Sequence, residues 1–184
     1  MKIYTRKGDD GTTGLLFGGR APKDSAAIEL NGAVDEAQAA LGWARSLCAS
    51  DDPMNLRIAG LERDLWILMA EVATTSQNRA KLEVGRTRVS QEMIDALETQ
   101  IDQANHTVEM PKEFVVPGEN QLSAALDVAR TVVRRAERTA VSWDLEGSLV
   151  VAYLNRMSDL VWTLARVAEG AAHLTARSLA KEEE

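Results

Sequence analysis

One cysteine, Cys48, is present in 184 residues. A disulfide framework and a cysteine-built zinc site of the usual spacing are therefore both excluded. Aromatic residues are scarce as well, with four tryptophans, two tyrosines and two phenylalanines. They are too scattered to form a platform on which bases could stack. No apolar run is long enough to cross a bilayer, and none follows the first basic residue as a secretory signal would. Basic residues are in deficit: the formal net charge is −7. Nucleic acid and anionic membrane surfaces both reward a basic partner, so neither is expected here. These absences point to a cytoplasmic protein whose local basic clusters stand out against an acidic background.

The chain is of a size for one domain with a core of its own, and no internal repeat divides it. Five of the twelve glycines fall within residues 1–26, where no helical period is sustained. This stretch reads as a structured loop with a short extended start over residues 3–6. Beyond it the apolar spacing is helical almost to the end, with a solvated tail at 179–184.

Five helices are predicted. The first spans 26–49, with Ile28, Val34, Ala37, Leu41 and Ala44 on its apolar side. The second follows Asp52, an N-cap, with Pro53 at the first helical position, and its stripe is Ile58, Leu61, Leu65, Leu68 and Val72. A polar connector covers 76–89. The third helix starts at the cap Ser90 and carries Ile94, Leu97, Ile101 and Ala104. A breaker segment, 110–118, contains the extended run Phe114-Val115-Val116. The fourth helix presents Leu122, Leu126, Ala129, Val133, Ala136 and Ala140. The fifth spans 148–178, with Tyr153, Met157, Leu160, Leu164, Val167 and Ala171. Steps of three and four are those of faces packed together, so an all-α five-helix bundle is expected.

Three features carry possible chemistry. In Thr5-Arg6-Lys7-Gly8-Asp9-Asp10-Gly11-Thr12-Thr13-Gly14, glycine at every third position lets backbone N–H groups converge, and such nests bind anions. Arg6, Lys7 and the threonine hydroxyls add donors. Asp9 or Asp10 could orient a magnesium-bound water or tie the loop to itself. It is not a Walker loop, because no Gly-Lys-Ser/Thr follows. A polar hairpin turn fits the same residues equally well.

On the fourth helix, Arg130, Arg134 and Arg138 recur every four residues and form one row, flanked by Arg135 and Glu137. Guanidinium forks pair with phosphate oxygens, whereas charge runs on helices are more commonly solvated faces. Like charges at this spacing repel, and Asp127 and Glu137 do not neutralise the whole row. On the fifth helix Asn155, Asp159 and Arg166 share a polar line. Asn155 could bind a ribose or phosphate, or satisfy a neighbouring helix end. Asp35 and Glu36 stand in a small, apolar stretch of the first helix, where an acid needs an arginine partner. Glu169 and His173 are spaced by four, which does not fit a di-iron Glu-x-x-His motif.

These motifs, in this order, resemble the PduO-type ATP:cob(I)alamin adenosyltransferases, the corrinoid adenosyltransferase family. The likeness runs through Thr5-Arg6-x-Gly8-Asp9-x-Gly11-x-Thr13-x-Leu15, Phe17-Gly18-Gly19, Lys23-Asp24 and Val34-Asp35-Glu36. It continues through 114–118, Ala129-Arg130, 134–138 and 153–160. It implies a homotrimer of five-helix bundles in which ATP and cobalamin meet at subunit interfaces.

By that resemblance Thr5, Arg6, Lys7, Gly8, Thr13, Gly14 and Lys23 hold the triphosphate with Mg²⁺. Arg134, Arg135, Glu137, Arg138 and Asn155 complete the nucleotide site. Asp35 and Arg130 form an inter-subunit pair, and Phe114 displaces the lower axial ligand of the corrinoid. No metal is held by side chains of its own. A reductase and an adenosylcobalamin-dependent acceptor enzyme are implied partners. Glu119 and Gln38 depart from the family pattern, where a glycine and an asparagine are common.

Overall fold

A computed structural model describes residues 3–143, 146–170 and 173–176. Within them, five α-helices follow a small antiparallel hairpin: β1 Thr12–Gly14, β2 Arg20–Pro22, α1 Ala26–Ser46, α2 Pro53–Val72, α3 Gln91–Asn105, α4 Gln121–Trp143 and α5 Val150–Glu169. α4 lies at the centre, packed against α1 on one side and α5 on the other; α2 covers α1, and α3 covers α5. Its outward positions apart, the bundle is closed by one continuous apolar core.

The apolar stripes explain that packing. Ile58, Leu61, Leu65, Leu68 and Val72 of α2 are all buried, as are Val34, Ala37, Leu41 and Ala44 of α1. On α4 the buried positions are mainly alanine and valine, including Ala125, Ala129, Val133, Ala136 and Ala140. Small side chains let two neighbours approach a central helix from both sides. Tyr153 of α5 is the largest buried aromatic, and its hydroxyl donates to Asp64 of α2 at 2.9 Å. Burial first, and the nearby Asp64 charge second, push this phenol well above its usual range, so it remains a donor.

Helix ends are set by local chemistry. Asp52 accepts from the Met54 N–H at 2.8 Å, with Pro53 following it, and Ser90 accepts from the Met93 N–H at 3.3 Å. α4 starts on Asn120, whose side-chain oxygen accepts from the Ser123 N–H at 2.9 Å. The Asn120 amide also donates to the Ala168 carbonyl, tying the start of α4 to the end of α5.

Four expectations from sequence need correction. The protein is not purely helical: the extended pieces are 12–14 and 20–22, paired in register Thr12 with Pro22 and Gly14 with Arg20, and residues 3–6 form no strand. α1 ends at Ser46 rather than at residue 49. α5 ends at Glu169 instead of running to residue 178. Gly170 terminates it with φ 79°, a left-handed conformation that glycine adopts without a steric penalty. Thr175 then pairs antiparallel with Val115. Ala171 and residues 177–184 lie outside the described residues.

The connector 76–89 is also more than a link. It contains a 3₁₀ helix, Ser76–Lys81, and a turn closed by the Thr87 and Arg88 N–H groups on the Glu83 carbonyl. Both are organised around Glu71, which is fully buried near the end of α2. Arg79 reaches its Oε1 at 3.0 Å, the Ser148 hydroxyl donates to the same oxygen at 2.9 Å, and the Val89 N–H donates to Oε2 at 2.8 Å. A buried carboxylate is tolerated only when its lone pairs are filled in this way.

Candidate functional site: a glycine-rich loop, an arginine row and an open cleft

The N-terminal loop is held by Arg20. Its Nε donates to the Thr12 hydroxyl at 2.8 Å, and its Nη2 donates to the Lys7 carbonyl and to the Thr12 carbonyl. Asp10 ties the loop to itself by accepting from the Thr12 N–H at 2.9 Å and from its hydroxyl at 2.8 Å. These two Thr12 bonds, with the Arg20 charge behind them, hold the Asp10 carboxyl below its ordinary value. Of the two roles left open for Asp10, the structure displays the internal tie.

The turn thus fixed points free donors outward. Arg6 is held at φ 60°, a conformation uncommon for a non-glycine residue. The N–H groups of Gly8 and Asp10 have no hydrogen-bond partner among the described residues. Lys23 folds over the same turn, anchored by its N–H on the Gly11 carbonyl at 2.9 Å. A Cβ placed on Gly8 would come within 3.3 Å of the Lys23 ammonium and 3.2 Å of the Thr12 carbonyl. A side chain at this position would crowd the concavity beside the cation, and the concavity is of a kind that suits an anion. Thr13 and Gly14 continue it along β1, opposite Ala21 and Arg20, and exposed Thr5 precedes it. The loop is seated on the end of α2 through the Leu16 N–H to the Ala73 carbonyl, and the Asn78 amide lies 3.5 Å from the Phe17 carbonyl.

The arginines of α4 lie elsewhere. Arg134 and Arg138 are exposed, and the side chain of Arg134 has no partner among the described residues. Arg138 donates to the Arg134 carbonyl at 3.0 Å, and Glu137 accepts from the Asn155 amide at 2.8 Å, joining α4 to α5. Arg135 pairs with Glu36 of α1. Asp35, exposed beside it, has no partner among the described residues. No hydrogen bond or ion pair among the described residues links the loop to this row.

Arg130 belongs to a third region. It lies 3.4 Å from Asp127 and lines an open cleft of about 450 Å³ together with Phe114, Val115, Asp127, Trp162 and Arg166. Phe114 stands 90% exposed at this cleft, with no burial to account for an apolar ring there. Arg166 is not on an exposed polar line with Asn155 and Asp159. It is 1% exposed, bonded to Asp127 at 2.5 Å and stacked 5.7 Å over the Trp162 ring. Asp159 pairs with Arg156 at 2.7 Å. Sequence reasoning missed Arg20, Trp162 and the buried role of Arg166. The signal for Arg166 was its position between the apolar residues Ala165 and Val167. Among the described residues no three His, Cys, Asp or Glu side chains are grouped to hold a metal ion, and no helix is long and apolar enough to cross a membrane.

A helical bundle that presents a glycine-rich loop under a lysine, a row of arginines of which Arg134 has no side-chain partner among the described residues, and a mixed polar and apolar cleft is a class defined by its open surfaces, not by a closed pocket. Within that class the relatives are specific. The family model for cobalamin adenosyltransferase matches residues 3–168, and the chain belongs to this family. The corrinoid adenosyltransferase of Mycobacterium tuberculosis is 42% identical over 172 residues, covering 91% of this chain and 88% of that protein. The corrinoid adenosyltransferase PduO of Salmonella typhimurium is 37% identical over 94% of this chain, which spans only 51% of that longer protein. Among solved structures, a PduO-type ATP:corrinoid adenosyltransferase from Lactobacillus reuteri, a phenylalanine-to-histidine variant complexed with cobalamin and ATP, superposes with TM-score 0.83. It is 28% identical and covers 96% of this chain and 97% of its own.

Proposed function

We propose that this chain transfers the 5′-deoxyadenosyl group of ATP to the cobalt of cob(I)alamin, giving adenosylcobalamin and triphosphate. The observation that carries the reading is a pair of cationic surfaces, each with a group, Lys23 or Arg134, that has no acidic partner among the described residues. One is the Gly8 concavity under Lys23, and the other is the exposed row containing Arg134. In the transfer the cobalt–carbon bond forms with the electron pair of Co(I), and the C5′–oxygen bond breaks with its pair leaving on triphosphate. The nucleophile comes with the corrinoid substrate, so the protein needs no activated serine or cysteine. Its tasks are to align C5′ with cobalt and to stabilise charge on the leaving group.

Thr5, Arg6, Lys7, Gly8, Thr13, Gly14 and Lys23 take the triphosphate, with Mg²⁺ carried on its oxygens. Arg134, Arg135, Glu137, Arg138 and Asn155 complete the nucleotide site. Among the described residues no hydrogen bond or ion pair joins loop and row, which suits sites that lie between subunits, as in the homotrimer that the resemblance implies. Asp35 of one subunit then pairs with Arg130 of its neighbour, in competition with the 3.4 Å contact to Asp127. Phe114 faces the corrinoid and excludes its lower axial ligand, a role to which its exposure and its place at the cleft are suited. A reductase that supplies the one electron needed to take Co(II) to Co(I), and an acceptor enzyme for the product, complete the partners.

The test is anaerobic incubation of the protein with cob(I)alamin and Mg-ATP. Cobalt–carbon absorbance should rise in step with triphosphate released. Tight binding of both substrates without triphosphate would make the protein a carrier and defeat the proposal.

A further inference from the structure

Beyond Gly170, residues 173–176 are fastened to the bundle through a run of buried polar side chains. Arg166 Nη2 donates to Asp127 Oδ2 at 2.5 Å and lies 2.8 Å from Glu169 Oε1. The other Glu169 oxygen lies 2.7 Å from His173 Nδ1. All four side chains are withdrawn from water, His173 being the most exposed at 9%. His173 Nε2 is buried with no partner among the described residues, so its hold on the bundle runs through Nδ1 and Glu169. Burying such groups is costly unless they are paired, and here the pairing runs continuously from α4 through α5 to residue 173.

The fastened segment in turn holds the Phe114 stretch. The Val116 N–H donates to the Leu174 carbonyl at 2.8 Å, and the Ala176 N–H donates to the Phe114 carbonyl at 3.1 Å. Val115 sits opposite Thr175 between these two bonds. An aromatic ring that is 90% exposed is not positioned by packing of its own. Its placement therefore depends on the backbone that bears it.

We infer that Arg166, Glu169 and His173 are positioning residues for Phe114: the chain of polar contacts pins residues 173–176 to the end of α5, and their backbone hydrogen bonds hold the Phe114 ring at the mouth of the cleft. The inference rests on the reading in which Phe114 excludes the lower axial ligand. Loss of the His173 contact releases the strand and lets the ring move, so the four-coordinate Co(II) state, which is easier to reduce, is populated less. ATP binding and the alignment of C5′ use other residues and are untouched.

The experiment compares full-length protein carrying His173→Ala, His173→Asn, Ala176→Pro and, as the reference, Phe114→Ala. The four-coordinate fraction of bound Co(II) corrinoid is read by electron paramagnetic resonance at saturating ATP. Turnover is measured from Co(II) with a reductant and from prereduced Co(I), and a thermal melt monitors folding. His173→Ala should lower the Co(II)-dependent rate about tenfold, the scale expected when a reacting partner is misplaced by a fraction of an ångström. Its Co(I) rate and its KM for ATP should stay at the parent values.

His173→Asn keeps a donor near the Nδ1 position and should restore the signal. Ala176→Pro removes the N–H that reaches Phe114 while leaving the Glu169–His173 contact in place, and should reproduce the loss. Parent-like four-coordinate signal in His173→Ala and Ala176→Pro, with the signal lost in Phe114→Ala, overturns the positioning role alone. A parent-like signal in Phe114→Ala overturns the ligand-exclusion reading and this inference with it. An equal fall of Co(I) and Co(II) rates together with the melting temperature shows general loosening and also overturns it.

Discussion

Arg134 and Arg166 are the same residue type on neighbouring helices of one bundle, yet they are placed in opposite ways. Arg134 is exposed on α4 with no partner for its side chain among the described residues. Arg166 is 1% exposed on α5, lies between Asp127 and Glu169, and is stacked on Trp162. A guanidinium left free beside like charges costs little in water and is available to a polyanion. One that is buried between two carboxylates is committed to the architecture, because neither side tolerates loss of the other. The free cation is the one proposed for the ligand site, and the satisfied one belongs to the frame that shapes the cleft.

The largest expected effect comes from removing the buried member. Arg166→Ala leaves Asp127 and Glu169 as buried like charges and should lower unfolding stability by about 3–5 kcal/mol. Urea unfolding monitored by circular dichroism measures it. A loss no larger than that of a surface substitution would mean that the buried pairing does not support the frame.

Next is the exposed member. Arg134→Ala should reduce turnover by at least about tenfold at saturating ATP, as removal of a donor to developing charge does, while the melting temperature holds. Near-normal turnover would remove Arg134 from the leaving-group site. Restoring activity with Arg134→Lys would show that charge alone, without the planar fork, suffices.

The smallest effect concerns the loop. Asp10 is held below its ordinary value of 3.8, first by the Thr12 hydroxyl and N–H and then by Arg20. A carboxyl lowered on folding contributes its stabilisation in full above the ordinary value and loses it as pH falls through the lower folded value. The loop should therefore keep its amide resonances unchanged down to about 3.8 and lose its order only below that point. Asp10→Asn should abolish this acid transition. Persistence of the transition in the variant would assign it to another group.

Much of the helical frame was legible because periodicity reports burial directly. Every residue in the α2 stripe is buried, and the Asp52 and Ser90 caps accept the hydrogen bonds expected of them. The loop at 5–14 was legible as glycine spacing, but that spacing suited a hairpin as well as a nest. The structure contains a short β-hairpin, and its leading turn leaves the Gly8 N–H without a partner among the described residues. The end of α5 was misplaced because apolar spacing continues past Gly170, and a local pattern does not register strand pairing with residues 114–116.

What the sequence determined by itself was the set of helices, their buried faces and the arginine row, since each depends on residues three or four apart. Its motif order also indicated the family. Only the tertiary structure decided that Lys23 closes over Gly8, that Glu71 organises the connector, and that Arg166 turns inward to Asp127. Each of these joins residues that are far apart along the chain, and for Glu71, Arg166 and Asp127 the energy arises when folding removes the groups from water together. Arg134 and Arg166 look alike in a string of letters. Burial is a property of the assembled bundle, and it is burial that separates the arginine left exposed from the one that holds the frame.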